Sequence, residues 1–252
     1  EMNSEAYITR HILDQPHAII ITPSAVTMAN WKVYADKTRL LFNSKKFTDA
    51  GKEVEAGLKK YPNQPNLLTL ASDVYRSRGN CEKSLDYAEL LITHHPEKWN
   101  GYGRAAQALI TLERFNEALE RIKLGLDKFP NQVNLLTLAT VVYRASDDRV
   151  MSLHYAELLI THHLEKWIGY GRAVQDLIVL KRVEEAQEKI KLGLKICPNQ
   201  VNLLNIASDV YRASNDHAKS LECAELLITH QPENWNRYVR VAEDLIVLKR
   251  FK

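Results

Sequence analysis

Long apolar runs are missing from this chain. The longest, such as Ala18-Ile19-Ile20-Ile21, fall far short of the ~18–20 residues a membrane-spanning helix needs, so a membrane protein is not expected. Charge of one sign is missing too. Lys and Arg number 34 against 31 Asp and Glu, a net charge of +3, which gives little non-specific pull toward phosphate backbones or anionic lipid. Nucleic acid is therefore not an expected partner. Cysteine is scarce: Cys81, Cys197 and Cys223 show neither close pairing nor metal-ligand spacing, which suits a reducing, cytoplasmic setting. Glycine-rich phosphate loops, Gly-x-Ser-x-Gly elbows and His-Glu-x-x-His pairs are absent as well, so no catalytic residue and no cofactor is expected. What is present is foldable: 45% of residues are hydrophobic and 26% charged, the balance of a globular chain.

The chain repeats itself. Pro62-Asn63-Gln64-Pro65-Asn66-Leu67-Leu68 recurs with one change as Pro130 to Leu136 and again as Pro198 to Leu204, 68 residues apart each time. Between 130–182 and 198–250, 34 of 53 positions are identical. A weaker 34-residue period lies inside the long one. Trp31, Trp99, Trp167 and Trp235 mark every second unit, and Leu68, Leu136 and Leu204 sit one unit away from Tyr34, Tyr102, Tyr170 and Tyr238. Units are thus expected to begin near residues 31, 65, 99, 133, 167, 201 and 235, the last truncated. Such a period dictates the architecture.

Each unit reads as two helices. In 99–132, Tyr102, Ala105, Ala106, Leu109 and Leu112 recur at three- and four-residue steps, the stripe of an amphipathic helix. Glu113-Arg114-Phe115-Asn116 breaks the pattern, and a second stripe follows through Ala118, Leu119, Ile122, Leu126 and Phe129 until Pro130-Asn131. Gly79-Asn80 marks one inter-helix turn. Asn131 and Asn199 are the expected starters of the helices that follow them. Two helices of ~14 residues cannot bury their apolar faces alone, and stacking supplies the missing cover.

These units resemble tetratricopeptide repeats (TPR). The leading aromatic of that family matches Tyr102, its small pair Ala105-Ala106, its next large residue Leu109, its second-helix alanine Ala118 and its closing proline Pro130. Other units give Leu68, Ala71-Ser72, Tyr75, Ser84, Ala88 and Pro96, then Leu204, Ala207-Ser208, Tyr211, Ser220, Ala224 and Pro232. The departures are Leu164 for the proline, the lack of glycine in the small pair, and Lys37-Thr38 at the small pair of the first unit. The resemblance covers 31–252 and implies an all-α, right-handed superhelical solenoid of about six and a half units, its concave side lined by first helices. Residues 1–30 lie outside the period and are expected to cap the first unit or to belong to a preceding domain.

On that resemblance the groove residues are Asp73, Arg76, Gln107, Ile110, Arg144, Gln175, Ile178, Asp209, Arg212 and Glu243. An arginine-bearing row alternates with an isoleucine-bearing row, which suits an extended peptide with acidic and apolar side chains. The competing reading is that Asp73–Arg76 and Asp209–Arg212 are surface pairs on one helix, worth little. Some family members hold chaperone C-termini with lysines and asparagines on first helices; Asp73, Gln107, Gln175 and Asp209 stand here instead, so that partner is not expected.

His94-His95, His162-His163 and His230 raise a metal reading, but neighbouring helical histidines diverge and equivalent positions are four helices apart, so no metal is expected. Histidine suits the negative end of a helix. The functional expectation is a protein–protein interaction scaffold that is not an enzyme, its protein or peptide partner unspecified. Two alternatives stand beside it: a non-catalytic repeat domain of a larger enzyme such as a glycosyl- or sulfotransferase, and a structural array. The apolar run Leu245-Ile246-Val247-Leu248 adds the expectation that the natural protein continues and that this chain forms homo-oligomers through the solenoid ends.

Overall fold

A computed structural model describes residues 23–249, with the side chains of 30–249; most of the expected N-terminal cap therefore lies outside the described residues. Those residues form thirteen helices and no strand. First helices are α1 (Pro23–Asn43), α3 (Pro65–Ser77), α5 (Trp99–Thr111), α7 (Val133–Ala145), α9 (Trp167–Val179), α11 (Val201–Ala213) and α13 (Trp235–Val247). Second helices are α2 (Phe47–Lys60), α4 (Cys81–His94), α6 (Phe115–Lys128), α8 (Arg149–His162), α10 (Val183–Ile196) and α12 (His217–His230). The chain is an all-α repeat solenoid. The first helix among the described residues begins at Pro23, ahead of the 34-residue period.

Every helix packs on the next along the chain, and each first helix from α1 to α9 also touches the first helix of the following unit. The backbones of second helices do not approach one another; successive ones are joined by long side chains, in the ion pairs Lys83–Glu55, Arg121–Glu89 and Lys189–Glu157. First helices therefore crowd together on one side while second helices splay on the other, which makes the first-helix side the inner one.

The crossing within each unit is built from small residues. Ala105, Ala106 and Ala118 are fully buried, as are Ala71, Ser84 and Ala88, so the two backbones approach closely. Large residues fill the space between units: Leu67, Leu68, Leu109, Leu135, Leu136, Leu177 and Leu203 are buried almost completely. Gly125 is another contact of this kind, since a Cβ there would lie 2.9 Å from Tyr102 Cβ and 2.8 Å from Leu135 Cδ1. Gly57 and Gly193 meet Tyr34 and Tyr170 in the same way.

Helix starts depart from the sequence reading. The N-caps of α3, α7 and α11 are Gln64, Gln132 and Gln200, whose side chains accept from the amides of Asn66, Asn134 and Asn202. Asn131 and Asn199 instead sit one residue earlier, inside the inter-unit turn. Second helices are capped as expected of short polar residues, by Asn80, Asp148 and Asp216.

Each turn between the two helices of a unit places one residue at positive φ: Lys45, Gly79, Glu113, Asp147, Lys181, Asn215 and Lys249. These lie 34 residues apart, and a single one is glycine. A side chain in this region costs about 1–2 kcal/mol, offset in part by the lower backbone entropy of non-glycine residues. Glu113→Gly is accordingly expected to stabilise the fold by up to about 1 kcal/mol, and Gly79→Ala to destabilise it by a similar amount. Urea unfolding of both variants checks the opposite signs; equal signs would show that the turns are not held in this conformation.

Candidate functional site

The polar residues on the inner face belong to two layers, one buried between units and one open to the groove. The buried layer starts at the small-pair crossings, which alternate in chemistry. Ser72 and Ser84 exchange a hydroxyl hydrogen bond at 3.0 Å, and Ser208 and Ser220 one at 3.1 Å. Of the three units between them, two have apolar residues at those places, Ala106 with Ala118 and Val174 with Ala186, and the middle one has Thr140 with Ser152.

Onto two of the serine crossings the next unit lowers a carboxylate. Asp176 and Asp244 are wholly buried. Ser152 donates its hydroxyl to Asp176, which also lies 3.4 Å from Arg144 and 3.4 Å from Arg149. Asp244 accepts from Ser220 at 2.7 Å, from Arg212 at 3.0 Å and from His217 Nδ1 at 2.9 Å. The position one long repeat earlier than Asp176 is Ala108, and there the residue matching Arg149 and His217 is the uncharged Cys81. Acid and base are thus present together or absent together across the three copies. A buried carboxylate requires such partners, because an unpaired one is expelled or neutralised.

This layer claims two arginines expected in the groove. Arg144 Nη1 donates to Gln175 at 2.8 Å while its Nε faces Asp176. Arg212 pairs with Glu243 at 2.9 Å as well as with Asp244. Burial lowers the Arg144 guanidinium from its ordinary value; Asp176 opposes this, and Arg172 and Arg149 add to it by repulsion.

The open layer gathers most of the remaining candidates. Asp73, Arg76 and Gln107 line a depression of about 370 Å³ with Trp99, Arg104 and Leu138. Gln175 and Asp209 line another of about 420 Å³ with Trp167, Arg172, Asn202 and Asn205. Arg144, Ile178 and, again, Gln175 and Asp209 line a more apolar one of about 310 Å³, with Val179 and Ile206. Ile110 packs, partly buried, against the core of its own unit. Arg212 and Glu243 meet each other near α13 and do not line these depressions.

The sequence reading passed over a second arginine row: Arg104, Arg172 and Arg240, each 68 residues from the last. Its period was legible; its inward aim was not. Arg104 forks onto Asp73 with bonds of 3.1 and 2.7 Å, so Asp73 serves the next unit more closely than it serves Arg76, at 3.5 Å. Arg240 reaches Asp209 at 2.7 Å.

The histidines found a different use. His95 and His163 end α4 and α8, and each ring nitrogen lies 2.6 Å from the carbonyl of Asn63 or Asn131 in the preceding inter-unit turn. They tie one turn to the next.

Comparison with solved structures places the fold. A tetratricopeptide repeat protein from Parabacteroides merdae superposes with a TM-score of 0.60 at 13% identity, over 89% of this chain and 86% of that one. PilF of Pseudomonas aeruginosa gives 0.65 at 11% identity, over 84% and 97%. YrrB, described as a TPR protein with an unusual peptide-binding site, gives 0.54 at 14% identity, over 73% and 95%. The fold is that of a TPR solenoid. No protein-family model and no curated protein sequence matches the chain.

Two outcomes follow from the buried layer. Asp176→Ala leaves two arginines without their carboxylate and is expected to cost about 2–4 kcal/mol; adding Arg149→Cys, which recreates the Ala108–Cys81 arrangement, should recover part of that loss in urea unfolding. For Asp244, burial pushes its carboxyl up, but bonds from His217, Ser220 and Arg212 outweigh it and hold it below its ordinary value. Its contribution is therefore complete above the ordinary carboxylate range near pH 4 and lost as pH falls through the lowered value. The stability gap between the wild-type chain and Asp244→Asn should shrink on acidification; a gap independent of pH would show that Asp244 is not ionised in the folded state.

Proposed function

We propose that the chain is a non-catalytic interaction scaffold that holds an extended segment of a partner polypeptide along its first helices. The observation that carries this reading is the set of depressions on the inner face, two of which adjoin through Gln175, Ile206 and Asp209. Charged side chains, tryptophan and aliphatic residues alternate there. Extended polypeptides present side chains of both kinds at short intervals, and a rigid groove of helices receives them without rearranging. The peptide-binding site ascribed to YrrB supports the same use of the fold. Among the described residues no helix is long and apolar enough to cross a membrane.

The groove assignment is tested by position-specific cross-linking. Photoreactive residues at Gln107 and Gln175 face the depressions, whereas Glu120 and Glu188 are exposed on second helices. A protein partner captured from cell extract is expected to cross-link from the first pair and not from the second. Cross-linking from Glu120 and Glu188 alone would move the interaction to the outer face and overturn the proposal.

A further inference from the structure

The second arginine row contains an exception. Arg104 is matched by Asp73 and Arg240 by Asp209, in each case a carboxylate 31 residues earlier on the preceding first helix. The residue 31 positions before Arg172 is Val141. Arg172 accordingly has no ion pair among the described residues, although it lines the same kind of depression as Arg104. A second acid is replaced close by, since Gln175 stands where the next copy has Glu243. Around this point Arg144 and Arg149 share the single buried carboxylate of Asp176, and Arg172 lies near enough to Arg144 to repel it. Asp209 lines the depression too, but its carboxylate is engaged by Arg240.

We propose that the depression at Arg172 is a subsite for the carboxylate of an aspartate or glutamate side chain on a bound extended peptide. The proposal rests on the groove reading above and names what the groove selects. In the neighbouring copies an internal aspartate fills the guanidinium fork; here the fork is left for a carboxylate supplied in trans, with the geometry that Asp73 and Arg104 already display. The local excess of positive charge favours that ligand. Beside it, Ile178, Val179 and Ile206 form an aliphatic wall, and Gln175 and Ile206 border both depressions. Six residues of helix separate Arg172 from Ile178, about 9 Å. Two to three residues of extended peptide span that distance. The selected segment therefore carries an acidic residue two or three positions from an aliphatic one.

The test uses the whole chain and dodecapeptides selected against it from a random displayed library. Peptides with Asp or Glu at that spacing from Leu, Ile or Val are expected to be enriched. In fluorescence anisotropy, changing the acid to its amide should weaken binding about tenfold. Val141→Asp gives Arg172 an internal partner like Asp73 and should abolish the preference for acid over amide. Asp73→Val frees Arg104 and should create a second acid-preferring site even if Val141→Asp folds poorly. Groove-binding peptides with no acid preference, or a preference that survives in folded Val141→Asp, would overturn the subsite and leave the groove reading intact. Failure to select any peptide would overturn both.

Discussion

A pair of helices thirteen and fourteen residues long carries apolar stripes that its own crossing cannot cover, and the whole structure depends on how the next unit supplies the cover. The small residues at each crossing let α5 and α6 meet at Ala105, Ala106 and Ala118, all fully buried. That leaves Tyr102, Leu109 and Ile122 to be covered by neighbours, and Leu135 and Ala139 of the following helix do so. Since every unit both gives and receives cover, stability accumulates along the stack rather than around one centre. Curvature has the same origin: first-helix backbones approach one another across units and second-helix backbones do not, so a groove forms wherever the stack exists.

Stacking also brings polar groups of adjacent units together, and the duplicated pair of units handles them in alternation. Ser72–Ser84 and Ser208–Ser220 satisfy each other within a unit. Ser152 and Ser220 extend the bonding to Asp176 and Asp244 of the next unit. A carboxylate inserted there demands hydrogen-bond donors, which explains why Arg149 and His217 occupy a helix N-terminus, a place where the charge of Arg149 is otherwise unfavourable. The Ala108 copy has no such demand and uses Cys81. Register between units is thereby specified by directional bonds as well as by shape, a role buried polar groups fill in other stacked helices.

The period, the helix pairs and the small crossings were all legible in the sequence, because Tyr102, Ala105, Ala106 and Leu109 fall on one helical face whatever surrounds them. The turns were only half legible. Gly79 announces its conformation, but Glu113, Lys181 and Asn215 adopt the same positive φ under the geometry imposed by the flanking helices. The helix starts misled for a related reason: Asn131 has the chemistry of a cap, yet the turn places Gln132 at the cap position and its longer side chain reaches the amide of Asn134. In the groove, Gln107, Gln175, Ile178 and Asp209 could be placed by counting along a helix. Whether an arginine faces a ligand or a neighbouring unit could not, since Asp176 and Asp244 meet Arg144 and Arg212 only after stacking.

The same dependence explains how a chain of near-copies acquires a particular binding preference. Three first helices, α5, α9 and α13, carry the row Arg104, Arg172 and Arg240, and the first helix before each offers either a carboxylate that answers the arginine or a side chain that does not. Where Asp73 or Asp209 is present, the guanidinium is satisfied internally and the groove presents a neutral pair. Where Val141 stands, half-buried, the charge is left unanswered. The fold persists with either residue at this place, an aspartate in two copies and a valine in the third. Recognition is sensitive to it, because the unanswered arginine is the one that can take a ligand's carboxylate. Duplication can therefore preserve the fold while each copy's groove chemistry is set by single substitutions at positions the stack does not need.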